Sequence, residues 1–401
     1  PDSITLLWEF DDSKIPADND VRLGYSFPQP TIARLHNGKW AVVTGNGYHS
    51  DGSTHGKAAL LIIDLETGAL TKSIEVAGEA GIANGLSSPR LGDMNVDGVA
   101  DYAYAGDLQG NLWRFNLTHP KADADLNPFS RLGEGPSAEA HFKASYGGKP
   151  LFKAVASNGV RQPITAAPNI VRHPSRYGYL IIFGTGRYFE VTDKSGTVEK
   201  QSVYGIWDTN TRSVSGNESG PGSVSTGALT RSQLQEQTYE VSGSVENSIR
   251  TLTQNLVTWA IPPASPEGSW TDNAGHKYGW YFDLSLTGEM MIENMILFGQ
   301  TLLLQTLVPD DDPCASGAGS WTYGINAQTG GRTRHHIFRD IRHPASPHTP
   351  VTAVKQVGEG GLTLGQRPDG TFEICTGEGC IAVNPDPESV GRQSWRQLGE
   401  Q

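Results

Sequence analysis

Residues 63–68 have the sequence IDLETG, and residues 325–330 repeat it in altered form as INAQTG. In both copies the end of an apolar strand is followed by Asp or Asn and by a short turn that closes on Thr-Gly. The Asp or Asn side chain can cap its own turn, and glycine adopts a positive φ without a steric penalty. Looser copies occur at residues 207–211 and 282–288. A strand-turn unit that returns at irregular spacing predicts a β-propeller whose blades carry insertions.

Short apolar runs bounded by Gly, Asn, Asp or Pro recur along the rest of the chain. They are rich in β-branched and aromatic residues, which predicts an antiparallel, meander-like, all-β protein. The clearest runs are Trp40–Thr44, Ala59–Ile63, Tyr102–Ala105, Tyr179–Phe183, Ser202–Trp207, Tyr278–Phe282 and Thr301–Leu307. A helical period is visible only as a weak candidate at Gln233–Gln237, so few short helices are expected.

The chain is rich in turn-forming residues, with 48 Gly and 24 Pro among its 401 residues. Three segments have the composition of long loop insertions: His119–Pro150, Arg212–Ser232 and Pro262–Gly275. None of them resembles a linker between domains, so residues 1–401 are predicted to form one large domain. Several of the nine tryptophans fall in strand patterns and are predicted to pack between blades.

The charge balance excludes two classes of partner. The chain has 31 Lys plus Arg and 43 Asp plus Glu, for a formal net charge of -12. A non-specific nucleic-acid binder or an anionic-lipid anchor needs a basic surface, so neither function is expected. The most apolar stretch, Met295–Val308, contains a glycine and two glutamines and is too short and too polar to span a bilayer.

Cysteine usage points to an oxidising compartment. Cys375 and Cys380 enclose four residues, two of them glycine, so that a local disulfide is sterically easy. The alternative is a pair of free thiols. Cys314 is then left to pair outside the chain or to remain free. Because Pro1 opens directly into a strand-like run, we expect a processed chain or a piece of a larger protein.

The segment that carries chemistry is residues 93–101, with the sequence DMNVDGVAD. Oxygen-bearing side chains at alternate positions can converge on one point when the backbone curls, and Gly98 permits the sharp turn. Hard cations such as Ca²⁺ take six to eight oxygen ligands at short range. The predicted ligands are Asp93, Asn95, Asp97, the backbone carbonyl of Val99, and Asp101. The alternative is a solvated acidic turn that happens to contain glycine.

This loop differs from an EF-hand in how it ends. An EF-hand takes a bidentate Glu from position 12 on an exiting helix, whereas position 12 here is Tyr104 in a strand-like run. The sequence therefore predicts a calcium hairpin on a β scaffold, in which Asp101 replaces the distant Glu. Three carboxylates and one amide favour Ca²⁺ over Mg²⁺, which prefers octahedral, water-rich sites.

With these residues in view, the chain resembles the C-terminal domain of the PilY family, large adhesin and biogenesis proteins associated with the tip of bacterial type IV pili. The similarity covers most of the chain. Its motifs are Ser88–Asp93 leading into the acidic loop, Ala103–Phe115, Phe183–Phe189 followed by Val203–Asp208, and Cys314 before Trp321 with Arg392, Ser394, Trp395 and Arg396 near the end.

The resemblance implies a modified seven-bladed β-propeller with one calcium loop. It implies that Ca²⁺ occupancy tunes pilus extension against retraction, and with them twitching motility and surface attachment. The implied partners are type IV pilus components, including minor pilins at the pilus tip, and host-cell or surface ligands. The implied location is the cell surface or pilus tip after export through the periplasm. The chain has no Arg-Gly-Asp tripeptide, so integrin-directed binding is not expected.

Two other functions stay open as alternatives. One is an adhesin or scaffold in which calcium is purely structural. The other is an oxidoreductase, because the strand-turn repeat also resembles quinoprotein dehydrogenase propellers. Those enzymes need adjacent cysteines and a Trp that closes each blade; no two cysteines are adjacent here, and Ile74–Val76 lacks that Trp. No enzyme activity is therefore expected. His335 and His336 lie among arginines, which favours a surface turn over a metal site.

Overall fold

The computed structural model describes residues 5–16, 20–48, 57–118, 138–189, 193, 199–209, 229–240, 248–261, 275–309, 319–357, 361–376 and 379–384. Within these ranges the protein is built from β-strands, without an α-helix. The strands are β1 Thr31–Arg34, β2 Trp40–Gly45, β3 Lys57–Asp64, β4 Leu70–Ala77, β5 Arg90–Gly92, β6 Tyr102–Gly106, β7 Asn111–Asn116, β8 Lys143–Ala144, β9 Phe152–Lys153, β10 Asn169–Arg172, β11 Tyr179–Gly184, β12 Ser202–Asp208, β13 Gln235–Glu236, β14 Ile249–Arg250, β15 Gly279–Asp283, β16 Ile296–Phe298, β17 Thr301–Val308, β18 Gly319–Asn326, β19 Ala353–Val357, β20 Thr363–Gln366, β21 Phe372–Thr376 and β22 Gly379–Val383. Short 3₁₀ helices span Asp12–Lys14, Ala138–His141 and Arg231–Gln233.

These strands form five sheets, here called sheets 1 to 5. Sheet 1 has the order β1-β2-β3-β4, sheet 2 has β5-β6-β7-β8 with β9 also on β7, and sheet 5 has β20-β21-β22. Sheet 3 has the order β10-β11-β12-β15-β13, and sheet 4 has β14-β19-β18-β17-β16. Neighbours pair antiparallel except β13 and β15, which run parallel. The predicted all-β meander is confirmed; the number of blades stays a prediction.

One local prediction is wrong. The weak helical candidate Gln233–Gln237 is instead the end of a 3₁₀ turn followed by β13. The strand residues are held by a parallel pairing with β15, in which Gln235 lies opposite Trp280. Tertiary pairing therefore overrides a short local pattern, as is common for segments of this length.

The two clearest repeats form the turn that the sequence predicts. Asp64 Oδ1 accepts hydrogen bonds from the backbone N–H groups of Glu66 and Thr67, at 3.1 and 3.0 Å. Asn326 Oδ1 accepts the equivalent bonds in the second copy, from Gln328 at 2.9 Å and Thr329 at 3.1 Å. Both turns close on a glycine of positive φ, 70° at position 68 and 71° at position 330. The local prediction is confirmed at both sites.

A tryptophan docks on each of these turns from elsewhere in the chain. Trp8 Nε1 donates to the carbonyl of Leu65 at 2.9 Å, and Trp280 Nε1 donates to that of Ala327 at 3.2 Å. A Cβ added to Gly68 or Gly330 would collide with the docked ring. Each of these two turns thus has a closing tryptophan, but it comes from a distant part of the sequence and not from the end of the same repeat unit.

The apolar core lies between sheets. One buried cluster joins sheets 2, 3 and 4, a second joins sheets 1 and 2, and a third joins sheets 4 and 5. Trp113, Trp207 and Trp280 are among its largest fully buried side chains. Several tryptophans in strand patterns are therefore buried in the clusters that join the sheets, as predicted, whereas Trp40 at the start of β2 is 55% exposed.

His173 lies buried in an aromatic stack behind sheet 3. Its ring is parallel to Trp207 at 3.8 Å and edge-on to Trp259 at 4.3 Å between centroids. Burial lowers the pKa of His173 to about 3. Unfolding restores a pKa near 6.5, so between pH 6.5 and about 3 the unfolded chain binds more protons than the folded one. Stability is therefore lost as the pH falls through this window.

We expect His173→Phe, which keeps a ring on Trp207, to remove this acid sensitivity. The difference in the free energy of unfolding between the variant and the wild type should rise in favour of the variant by about 1.4 kcal/mol for each pH unit below 6.5. Urea denaturation between pH 7 and pH 4 measures the difference. His348→Phe is the matched control for replacing a histidine by phenylalanine, since His348 is exposed. Parallel curves for His173→Phe and the wild type would contradict the prediction.

The predicted disulfide is confirmed. Cys375 and Cys380 are bonded and face each other across β21 and β22. Glu373 lies beside them, and the three side chains have potential metal-ligand atoms within 4.8 Å of one another. Sulfur atoms joined in a disulfide are not thiolates, so this group is not a metal site in the oxidised chain. Cys314 and residues 392–396 lie outside the described residues. No helix in the described ranges is long and apolar enough to cross a membrane.

Candidate metal centre

Residues 93–101, called the acidic loop below, connect β5 to β6 as a hairpin. Gly92 pairs with Tyr102 across the two strands, and the N–H of Asp101 donates to the carbonyl of Gly92 at 2.9 Å. The chain leaves the loop in a strand whose residues are all buried. The predicted β-hairpin setting is thus confirmed, and it differs from the helical exit of an EF-hand.

The acidic loop is curled by its own side chains. Asp93 accepts hydrogen bonds from the backbone N–H groups of Asp97 at 3.1 Å and Gly98 at 2.7 Å. Asn95 Oδ1 accepts from the N–H of Asp97 at 3.2 Å, and Asp97 Oδ1 accepts from that of Val99 at 2.8 Å. Successive oxygen atoms are therefore directed inward along the loop. A carboxylate has about four lone-pair sites, so these bonds leave capacity for a cation.

The loop backbone includes two residues of positive φ. Gly98 has a φ of 87°, as the sharp turn requires, and Val96 has a φ of 62°. A β-branched residue in this region is a genuine outlier, which costs of the order of 1–3 kcal/mol. Val96 is also 86% exposed, so packing does not offset that strain. Strain of this kind persists where the surroundings impose it, often at ligand-binding sites.

Asp101 links the acidic loop to sheet 1. It is 7% exposed, and its Oδ2 accepts from the N–H of Met94 at 2.7 Å. Its Oδ1 lies 3.0 Å from Nε2 of His36, a buried residue of the β1–β2 turn. The contribution of His36 was missed by sequence reasoning, because the two residues are 65 positions apart.

The candidate ligands are the kind of atom that a hard cation binds, but they are too far apart to coordinate one together. All candidate ligands offer oxygen, as Ca²⁺ requires. However, Asp93, Asp97 and Asp101 do not form a group in which all three carboxylates have an oxygen within 4.8 Å of the other two, among the described residues. Asn95 Nδ2 also donates to Asp97 Oδ2 at 3.1 Å. The side chains would therefore have to move closer together to form a coordination shell around a cation.

The other polar cluster singled out in the sequence does not assemble a site. His335 and His336 are half-buried in the loop after β18, and neither belongs to a group with metal-ligand spacing in the described part of the chain. The acidic loop therefore remains the candidate that the sequence proposed.

Antiparallel sheets packed through shared apolar clusters, with an acidic hairpin loop between two strands, are typical of a β-propeller with a candidate cation site. A family profile described as the PilY1 beta-propeller domain matches residues 1–248. The chain belongs to this family, and the predicted β-propeller fold is confirmed.

Named relatives agree with this assignment. The type IV pilus biogenesis factor PilY1 of Pseudomonas aeruginosa strain PAO1 is 49% identical over 418 residues, covering 99% of this chain and 34% of that protein. A PilY1 homolog of Xylella fastidiosa is 32% identical and covers 81% of this chain and 20% of its own length. The chain thus spans about a third or less of these relatives. The relatives are named as biogenesis factors and not as enzymes.

A solved structure is also similar. The crystal structure of the Pseudomonas aeruginosa PilY1 C-terminal domain superposes with a TM-score of 0.78 at 46% sequence identity. The match covers 96% of this chain and 77% of the other. At this identity the likeness covers both fold and sequence.

Proposed function

We propose that this chain is the calcium-binding propeller of a type IV pilus biogenesis factor. In this proposal, Ca²⁺ occupancy of the acidic loop regulates pilus extension against retraction, and through them twitching motility and surface attachment. The observation that carries the calcium assignment is the curled loop, in which backbone N–H groups hold three carboxylates on one short hairpin. The likeness to PilY1 supports the role in pilus biogenesis.

The residues of the loop have separable roles. Asp93, Asn95 and Asp97 would hold the ion on the exposed side, with the Val99 carbonyl and Asp101 completing the shell. A bound divalent ion would neutralise like charges that otherwise repel one another. Asp101 also faces His36, so the proposed site is coupled to the edge of sheet 1. Regulation requires that a pilus partner bind the calcium-bound and calcium-free loops with different affinities. A ligand shifts the equilibrium between two states only when its affinities for them differ.

The proposed partners are type IV pilus components such as minor pilins, with host-cell or surface ligands as further partners. The proposed location is the pilus tip or cell surface after export through the periplasm. The Cys375–Cys380 disulfide supports an oxidising compartment.

Calorimetric titration of the chelator-treated chain tests the calcium assignment. We expect saturable one-to-one binding, weakened at least 100-fold by the double variant Asp97→Ala, Asp101→Ala, because two of the three carboxylates are lost. Asp369→Ala is the matched control, since Asp369 also caps an exposed turn but lies outside the acidic loop. Absence of binding to the wild type, or equal binding to the double variant, would show that the loop is not the site.

A second readout separates regulation from a purely structural calcium. A structural ion stabilises the fold by about 2.7 kcal/mol at a hundredfold excess over Kd, and its loss lowers Tm. The same double variant in the full-length protein should alter twitching while the amount of protein at the cell surface stays unchanged. A fall in motility that only parallels a fall in protein amount would support the adhesin or scaffold alternative.

A further inference from the structure

A cavity of about 420 Å³ opens between sheets 3 and 4. Its wall comes from the loop after β10, the segment after β14, the β16–β17 turn, and the chain that follows β18. The volume lies in the range of small-molecule sites, about 300–1,000 Å³. The cavity is separate from the acidic loop, since it includes none of residues 93–101.

One side of the cavity is an immobilised aromatic ring. Trp259 lines it, and behind the lining its indole is edge-on to His173 at 4.3 Å and to Trp207 at 5.8 Å. Leu256, which is 72% exposed, and Val257 lie beside Trp259 on the same lining segment. The two neighbouring rings hold the indole in place at the cavity wall, where it offers apolar surface to a ligand.

Three polar side chains of the lining have no partner among the residues that the structure describes. The side chains of Gln254, Gln328 and Arg334 line the cavity, and within the described ranges they make no hydrogen bond or ion pair. Two planar amides and one planar guanidinium thus remain available around one space. Most of the lining residues are polar, so the cavity suits a ligand rich in hydroxyl groups better than an apolar one.

The charge of the lining is opposite to that of the protein. The chain carries a net charge of -12, yet among the described residues the lining has no Asp or Glu and includes Arg332, Arg334 and His335. Arg332 is engaged by Glu240 and the carbonyl of Leu252, whereas the Arg334 guanidinium is exposed. A guanidinium fork matches a carboxylate bidentately, so the site favours an anionic group of that shape.

We propose that this cavity binds a saccharide that carries a carboxylate, such as a uronic or sialic acid residue. Trp259 would pack against the apolar face of the sugar ring, the two glutamine amides would bond its hydroxyls, and Arg334 would take the carboxylate. A peptide added as a β-strand is disfavoured, because neither edge strand of sheet 4, β14 or β16, contributes to the lining.

The test is a titration of this chain with trigalacturonate and with 3′-sialyllactose, using lactose as the uncharged control. A chelator is present throughout, so that the result is independent of the acidic loop and of the proposed calcium function. We expect at least one acidic saccharide to bind, with at least tenfold preference over lactose; which of the two binds identifies the source of the carboxylate.

Arg334→Gln should weaken that binding at least tenfold, because it removes the charge and retains a planar amide. Arg339→Gln is the matched control, since Arg339 is also exposed but lies outside the lining. The proposal is overturned if neither acidic saccharide binds, if lactose binds equally well, or if Arg334→Gln has no effect. Binding of a short Asp-Glu peptide in place of both acidic saccharides would also overturn it.

Discussion

Replacing Asp208 by alanine is expected to lower the free energy of unfolding by about 3–5 kcal/mol, because it leaves a buried guanidinium without its counter-charge. Arg114 and Asp208 are both fully buried, with Nη1 and Oδ2 3.1 Å apart. The carboxylate also accepts hydrogen bonds from the hydroxyls of Tyr104 at 2.8 Å and Tyr146 at 2.6 Å. Alanine would leave these three donors without their acceptor.

The rings packed around Arg114 separate its guanidinium from solvent, so it stays buried when Asp208 is removed. Its guanidinium lies over the rings of Tyr102 and Tyr146, at 4.6 and 4.4 Å from their centroids. Burial, reinforced by the Asp208 charge, raises the pKa of Tyr104, which therefore stays a neutral donor. Residues of sheet 2 are thus tied to the last residue of β12 in sheet 3, and removal of Asp208 disrupts the interface between them.

Urea denaturation at neutral pH measures this loss. Glu75→Ala is the control, since Glu75 pairs with Lys57 at the surface, where an ion pair contributes about 0–1 kcal/mol. The double variant Arg114→Met, Asp208→Leu should be more stable than Asp208→Ala, because it leaves no unpaired charge. If the single substitution cost less than 1 kcal/mol, the pair would not be essential to the interface. If Asp208→Ala does not fold, Asp208→Asn serves in its place, with an intermediate loss expected.

Two further sites combine a partly buried arginine with a carboxylate and aromatic rings. Arg250 pairs with fully buried Glu289 at 2.7 Å, and its guanidinium lies 3.5 Å from the centroid of Trp321. Arg231 pairs with Asp283 and lies 4.3 Å from the centroid of Tyr281. In each case the aromatic ring packs against the flat face of the guanidinium, and the carboxylate forms an ion pair with its N–H groups. Aromatic rings thus accompany these arginine–carboxylate pairs as they do at Arg114.

Local features of the fold and of the candidate site could be predicted from the sequence. The Asp64 and Asn326 turns, the disulfide and the curl of the acidic loop each depend on residues within a few positions of one another. The Arg114–Asp208 pair and the contact between His36 and Asp101 join residues 94 and 65 positions apart. Such contacts depend on how sheets pack, which no local period encodes. The cavity was missed for the same reason, since Trp259 and Arg334 come from separate segments.

Among glycine-to-alanine substitutions in this chain, Gly330→Ala should cause one of the largest losses in the free energy of unfolding. Gly330 has a φ of 71°, and a Cβ there would overlap the ring of Trp280, which is fully buried and hydrogen-bonded to Ala327. Gly330→Ala combines a left-handed backbone penalty of about 1–2 kcal/mol with an overpacking penalty of about 1–3 kcal/mol. We expect a total loss of about 2–5 kcal/mol in the free energy of unfolding.

Gly288→Ala separates the two contributions. Gly288 has a φ of 77° but nothing within 4 Å of the added methyl group, so only the backbone penalty should appear there. The difference between the two variants in urea denaturation therefore reports the collision with Trp280, and it should be at least 1 kcal/mol. Equal losses would mean that the indole moves aside freely. In that case Trp280 would not fix the position of sheet 3 relative to the turn of sheet 4. The wall of the cavity beside that turn would then be less rigid than we infer.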